Sequence, residues 1–161
     1  MKITIIGGGN IGGAIAGGLA ASTLMKASDL TVADPSAAAL ERIKGLNSAI
    51  RTSQDNAAAV EGADLIILAA RPAMGKTAFA LSLARNAAVK PWLAEEVSAT
   101  FRDKLNFDRQ CLASVVAGVS FEKLKTMLDN GKDVRPALLR LIPNTAISLR
   151  ESVTFIASDG A

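Results

Sequence analysis

The chain has 161 residues, half of them hydrophobic, with 18 basic and 15 acidic side chains, a formal charge of +3 and no histidine. That length fits one domain with a sizeable core, while the near-balanced charge and lack of basic clusters with interleaved aromatics exclude a nucleic-acid face. Missing histidine excludes His-based triads and the usual zinc sites, and no apolar stretch approaches the ~20 residues of a membrane span.

Lys2 to Ile6 is a β-branched run that ends in glycine, and it reads as a buried parallel strand. It is too short and too soon broken by glycine for a signal peptide. Asn10 to Ala21 carries a helical pattern of small and aliphatic residues. Leu30 to Ala33 is the second strand, closed by Asp34, and Ser36 is the N-cap of a helix through Lys44. Ala49 to Arg51 is a weak third strand, and Asn56 to Glu61 is a short helix ended by Gly62 in a left-handed conformation. Asp64 to Ala69 is a central fourth strand. Thr77 to Ala87 is helical, residues 89–92 interrupt, and Leu93 to Leu105 is an amphipathic helix. Gln110 to Val116 is a strand containing the lone Cys111, which reads as a buried thiol of a reducing, cytoplasmic compartment. Ser120 caps a helix through Leu128, Asn130-Gly131 turns the chain, and Pro136 to Ile142 and Val153 to Ala157 are the last strands. Alternating strands and helices at this spacing predict βαβ units and a mainly parallel sheet.

Two glycine-containing loops follow apolar strands. In Gly7-Gly8-Gly9-Asn10-Ile11-Gly12, Gly7 allows the tight turn, Gly9 lets backbone approach a pyrophosphate, and Gly12 lets the helix pack on the strand. The helix start then offers unpaired N–H groups and partial positive charge to phosphates. Asp34 stands where a ribose-binding carboxylate is expected. It favours NAD by repelling a 2′-phosphate, while Ser36 and Lys44 leave NADP open. The expected fold is a single Rossmann-like, doubly wound α/β domain over residues 1–161. The second loop, Ala70 to Thr77, reads as a Walker A loop in which Met74, Gly75, Lys76 and Thr77 cradle phosphate. No Walker B aspartate, catalytic glutamate or arginine finger follows in a matching context, so hydrolysis is not expected, and the loop either binds ATP or phosphate or folds as a passive helical insertion. No metal site and no catalytic side chain are expected.

Gly7 to Ile15 resembles the opening of the pyrroline-5-carboxylate reductases, the last enzymes of proline synthesis. Further motifs agree in order: Asp55-Asn56, Val89-Lys90-Pro91, Ser114 to Ser120, and Arg140 to Thr145 with Ile142 in place of the family's Met. The resemblance implies an NAD(P)-dependent reduction of a cyclic imine. It implies that Gly9, Asn10, Ile11 and Gly12 hold the pyrophosphate, with Asp34 and Asn56 near the adenosine half. Lys90 and Pro91 would lie near the central riboses, Ala117, Gly118, Pro143 and Asn144 would line the nicotinamide end, and Ala69 would belong to the same cofactor site. These reductases are homo-oligomers whose second, helical half makes the dimer and completes the substrate pocket. That half is absent from this sequence, so the chain alone is expected to be inactive. The family also runs directly from the fourth strand into Val-Lys-Pro, whereas Ala70 to Ala88 intervenes here. That segment resembles the Walker A loop and following helix of bacterial replicative DNA helicases. The pairing implies a loop–helix insertion after the fourth strand and suggests a deliberate chimera.

Overall fold

The computed structural model describes residues 1–69, 91–132, 137–143 and 153–160, and of residues 91–93 it describes the backbone. Its elements are β1 (Ile3–Ile6), α1 (Asn10–Ala20), β2 (Leu30–Ala33), α2 (Ala37–Leu46), β3 (Arg51–Ser53) and α3 (Asn56–Val60). They continue with β4 (Leu65–Leu68), α4 (Pro91–Ala99), β5 (Cys111–Ser114), α5 (Phe121–Leu128), β6 (Ala137–Pro143) and β7 (Thr154–Ser158). The expected helix over 77–87 lies outside the described residues.

The strands form one sheet in the order β3-β2-β1-β4-β5-β6-β7. The first six run parallel, and β7 returns antiparallel to β6. The chain winds outward from β1 in both directions, so the crevice beyond the C-terminal ends of β1 and β4 is a topological switch point. Strand residues alternate between two apolar layers. Ile3, Ile5, Val32, Ile67 and Ala113 pack with Ala16 of α1 and Ile43 of α2. Ile6, Ile66, Leu68, Leu112 and Leu138 pack on the other side with Val60, Ala94, Leu124 and Leu128.

Local chemistry moves three expected boundaries. The third strand starts where it was expected to end, because Ile50 N–H bonds Asn47 O and Asn47 Oδ1 accepts from Ala49 N–H. Those residues are committed to a turn before the ladder begins. The helix expected over 93–105 stops at Ala99, where the Thr100 hydroxyl donates to Val97 O at 2.6 Å and a short 3-10 turn (Arg102–Lys104) takes over. Such a hydroxyl competes with the helical ladder. The strand expected over 110–116 is shortened at both ends. Ser114 Oγ accepts from Val116 N–H beyond it, and Gln110 before it serves as a side-chain hub.

Gln110 is buried, and its Nε2 donates to Val60 O and Ala63 O, both at 2.9 Å. Its Oε1 accepts from Asn106 N–H at 2.7 Å. Three backbone groups of two loops are thus satisfied by one amide. Gln110→Leu leaves all three without that partner, and we expect a loss of about 2–4 kcal/mol in urea unfolding with an unchanged m-value.

Asp64 fastens the N-terminus in a similar way. Its Oδ2 accepts from Lys2 N–H at 2.7 Å, and Arg109 Nη2 stands 3.6 Å from Oδ1. The Lys2 amide first, and then the positive charges of the N-terminus, Arg109 and Lys2, hold its carboxyl below the ordinary carboxylate value. A depressed folded-state pKa stabilises above the unfolded value of about 3.9, and that contribution is lost as pH falls through the folded value. Asp64→Asn is therefore expected to lower the melting temperature at pH 7 and to converge with the native chain only as pH falls from about 3.9 through the lower folded-state value, read by thermal melts across pH.

Candidate functional site

The first glycine loop occupies the switch point. Gly7 N–H bonds Ala33 O at 2.8 Å, and Gly7 turns the chain with φ 107°. A Cβ on Gly12 would lie 1.8 Å from Gly7 O, whereas a Cβ on Gly9 would meet nothing within 4 Å. Gly12 is therefore closed by packing, and Gly9 borders open space. Gly9 is the N-cap of α1, so no side chain caps this helix, and no acidic residue stands in its first turn.

Three other α-helix starts differ. Ser36 Oγ accepts from Ala39 N–H at the start of α2, Asp55 Oδ1 from Ala57 and Ala58 N–H at α3, and Ser120 Oγ from Lys123 N–H at α5. A helix start carries backbone donors that need partners and the positive end of the helix dipole. In α1 these donors face the crevice at the C-terminal ends of the strands, and Asn10, Ile11 and Gly12 supply them.

Asp34 closes β2 beside the loop. Its Oδ2 accepts from Gly8 N–H and its Oδ1 from Ser36 N–H, each at 2.8 Å. The carboxylate thus pins the glycine loop to the β2–α2 turn, a role that sequence reasoning missed for both Asp34 and Gly8. The close packing of Gly8 was its only structural signal: a Cβ there would stand 3.4 Å from Asp34 Cβ.

Ala69 is buried one residue past β4, with its N–H on Ile6 O at 2.9 Å. Ala117 and Gly118 lie in the β5–α5 loop, and Gly118 has φ 76°. These residues share the C-terminal edge of the sheet with the glycine loop. Asn56 opens α3, and its Nδ2 donates to Thr100 Oγ1 at 3.0 Å, tying α3 to the residue after α4. Pro91 opens α4. Lys90, Asn144 and the second loop, with Met74, Gly75, Lys76 and Thr77, lie outside the described residues.

Cys111 is half-buried, and burial pushes its thiol above the ordinary value, which disfavours the reactive thiolate. Among the described residues no group of three or more His, Cys, Asp or Glu could hold a metal ion, and no helix is long and apolar enough to cross a membrane.

The sheet order, the switch-point loop and the uncapped helix define a Rossmann-type, doubly wound α/β domain. The DnaB-like helicase C terminal domain family matches residues 45–137, more than half of the chain, and the chain belongs to that family over this span. Across nearly its full length it is also pyrroline-5-carboxylate-reductase-like. It is 31% identical over 155 residues to the pyrroline-5-carboxylate reductase of Pasteurella multocida, a match covering 95% of this chain and 47% of that protein. It is 46% identical over 48 residues to the replicative DNA helicase DnaB of the same organism, covering 30% of this chain and 10% of the helicase.

Among solved structures, a pyrroline-5-carboxylate reductase from Coxiella burnetii superposes with a TM-score of 0.77 at 24% identity, over 99% of this chain and 50% of its own. The Plasmodium falciparum pyrroline carboxylate reductase with NADP bound superposes with a TM-score of 0.71 at 19% identity, over 99% of this chain and 48% of its own. The chain thus spans about half the length of the curated reductases it matches. Residues on both sides of 70–90 that fall within the helicase match are built into the reductase-like sheet as β3, β4 and β5.

The two glycines give opposite mutational expectations. Gly12→Ala forces its Cβ into backbone and is expected to cost about 3 kcal/mol or more. Gly9→Ala is expected to cost about 1 kcal/mol or less, and chemical denaturation of the pair checks both.

Proposed function

We propose that the chain is the nicotinamide-dinucleotide-binding part of a pyrroline-5-carboxylate reductase, an enzyme class that delivers hydride to a cyclic imine. The observation that carries this reading is the uncapped start of α1 at the topological switch point, beside open space at Gly9. The residues fit the cofactor: backbone donors of Asn10, Ile11 and Gly12 receive the pyrophosphate, and Asp34 faces the adenosine ribose. Bound nicotinamide supplies the hydride, and the protein's part is to hold and orient it. By resemblance, Lys90 and Pro91 lie near the central riboses, Ala117, Gly118, Pro143 and Asn144 line the nicotinamide end, and Ala69 belongs to the same cofactor site. Since the chain spans about half of its reductase relatives, we expect no turnover of the imine by this chain alone.

Asp34 sets the cofactor preference in this reading. Its charge favours a 2′-hydroxyl over a 2′-phosphate. Calorimetric titration is expected to show NADH binding about tenfold or more tighter than NADPH. Gly9→Ala should weaken NADH at least as much while leaving the fold intact. Equal affinity of native chain and variant for NADH would overturn the assignment of the loop.

A second reading rests on the family match over 45–137, which includes the Walker A sequence Ala70 to Thr77. In that reading residues 70–88 are a grafted helicase segment in an engineered chimera, and Lys76 and Thr77 bind ATP or phosphate. It predicts Mg²⁺-dependent ATP affinity that Lys76→Ala abolishes, with NADH affinity unchanged. ATP binding indifferent to that substitution would sink it.

A further inference from the structure

The face of the sheet that carries α3, α4 and α5 changes character along its width. Beneath α4 and α5 it presents Ile66, Leu112 and Leu138, all buried. Toward the β3 edge the row in register with Ile66 becomes Thr4, Thr31 and Arg51. Thr4 Oγ1 donates to Ala59 O at 2.8 Å, which fixes this row on the α3 side. Two residues away along β3 and before β1, strand alternation brings Ser53 and Lys2 to the same face. Helix α3 has five residues, too few to cover the row.

A cavity of about 240 Å³ lies there, floored by Thr4 and Thr31 and flanked by Lys2 and Arg51, with Ser53 and Glu61 in its wall. Lys2 stands two strands and two residues from Arg51, so their Cα atoms are roughly 12 Å apart, a span that two long side chains can close on a single phosphate group. Glu61, the one acidic residue lining it, is paired with Lys104 at 3.3 Å. Among the described residues, the side chains of Lys2 and Arg51 pair with no carboxylate. The cavity therefore combines the Arg51 guanidinium, which forms no ion pair among the described residues, the Lys2 ammonium, whose charge also acts on Asp64, the Thr31 hydroxyl and a roof of short helix. It lies away from the glycine loop, which sits beyond the opposite, C-terminal ends of β1 and β4.

We infer that this groove is a second anion site, taking the phosphate group of a small phosphate-bearing molecule between Lys2 and Arg51. The test is an NMR titration of the ¹⁵N-labelled chain with inorganic phosphate, balanced against chloride at constant ionic strength. Groove amides (Thr31, Thr52, Gly62) are read separately from those of Gly8 to Gly12. Saturable shifts are expected at the groove amides, with affinity about fivefold weaker in each of Lys2→Gln and Arg51→Gln. Unchanged spectra elsewhere report that both variants keep the fold. Shifts confined to the glycine loop, non-saturating groove shifts, or equal affinity in native chain and variants would overturn the inference. Because the two sets of amides respond independently, failure of dinucleotide binding leaves this result readable.

Discussion

Helix α1 meets β1 at a distance that only a hydrogen atom permits. With a Cβ on Gly12 placed 1.8 Å from Gly7 O, this contact admits no other residue, and much else follows from it. Gly7 must turn with positive φ to bring its carbonyl there, and α1 must then rise directly from the strand end. The helix axis is thereby aimed so that its first N–H groups open onto the crevice where the winding of the sheet reverses. Asp34 reinforces the arrangement from the neighbouring strand, since its carboxylate holds the Gly8 amide. One steric constraint thus fixes the strand–helix angle, the loop path and the direction of the dipole.

The two halves of the sheet are finished to different degrees. At its centre both faces are closed by apolar layers, and the loops there are tied by buried amides such as Gln110. At the β3 edge one face is threonine and arginine under a five-residue helix. At the other edge β7 is exposed on both faces, with Phe155 70% and Ile156 67% accessible. Beyond the β6 ladder, the Asp159 N–H bonds Leu138 O and Lys125 pairs with Asp159. Stability is therefore concentrated around β1, β4 and β5, and the edges contribute less.

The glycine loop and the helix caps were legible in the sequence because each is a local requirement. Gly7, Gly9 and Gly12 declare their geometry by lacking a side chain, and Ser36, Ser120 and Gly62 act within three or four residues of themselves. What escaped depends on partners distant in the chain. Nothing near Gln110 announces that its amide will serve Val60 and Ala63, and nothing near Asp34 announces the bond to Gly8. The third strand was misplaced because Ile50 is apolar like a strand residue, yet its backbone belongs to the turn at Asn47. Asn56 was read from its motif alone, whereas its amide bonds Thr100. The antiparallel return of β7 is invisible to hydrophobic pattern, since Phe155 and Ile156 look like core residues and are exposed.

In the proposed function, the phosphates of the dinucleotide take the donors that no side chain caps at the start of α1. Whatever completes α1 binds the folded chain and not the unfolded one, so its concentration adds directly to stability, by about 2.7 kcal/mol at a hundredfold excess over Kd. In a cell, increments of that size change how often a chain opens to proteases and chaperones. If the proposed dinucleotide is that ligand, the abundance of this protein would follow its supply, because the glycine at position 9 leaves the helix start to be completed by the ligand.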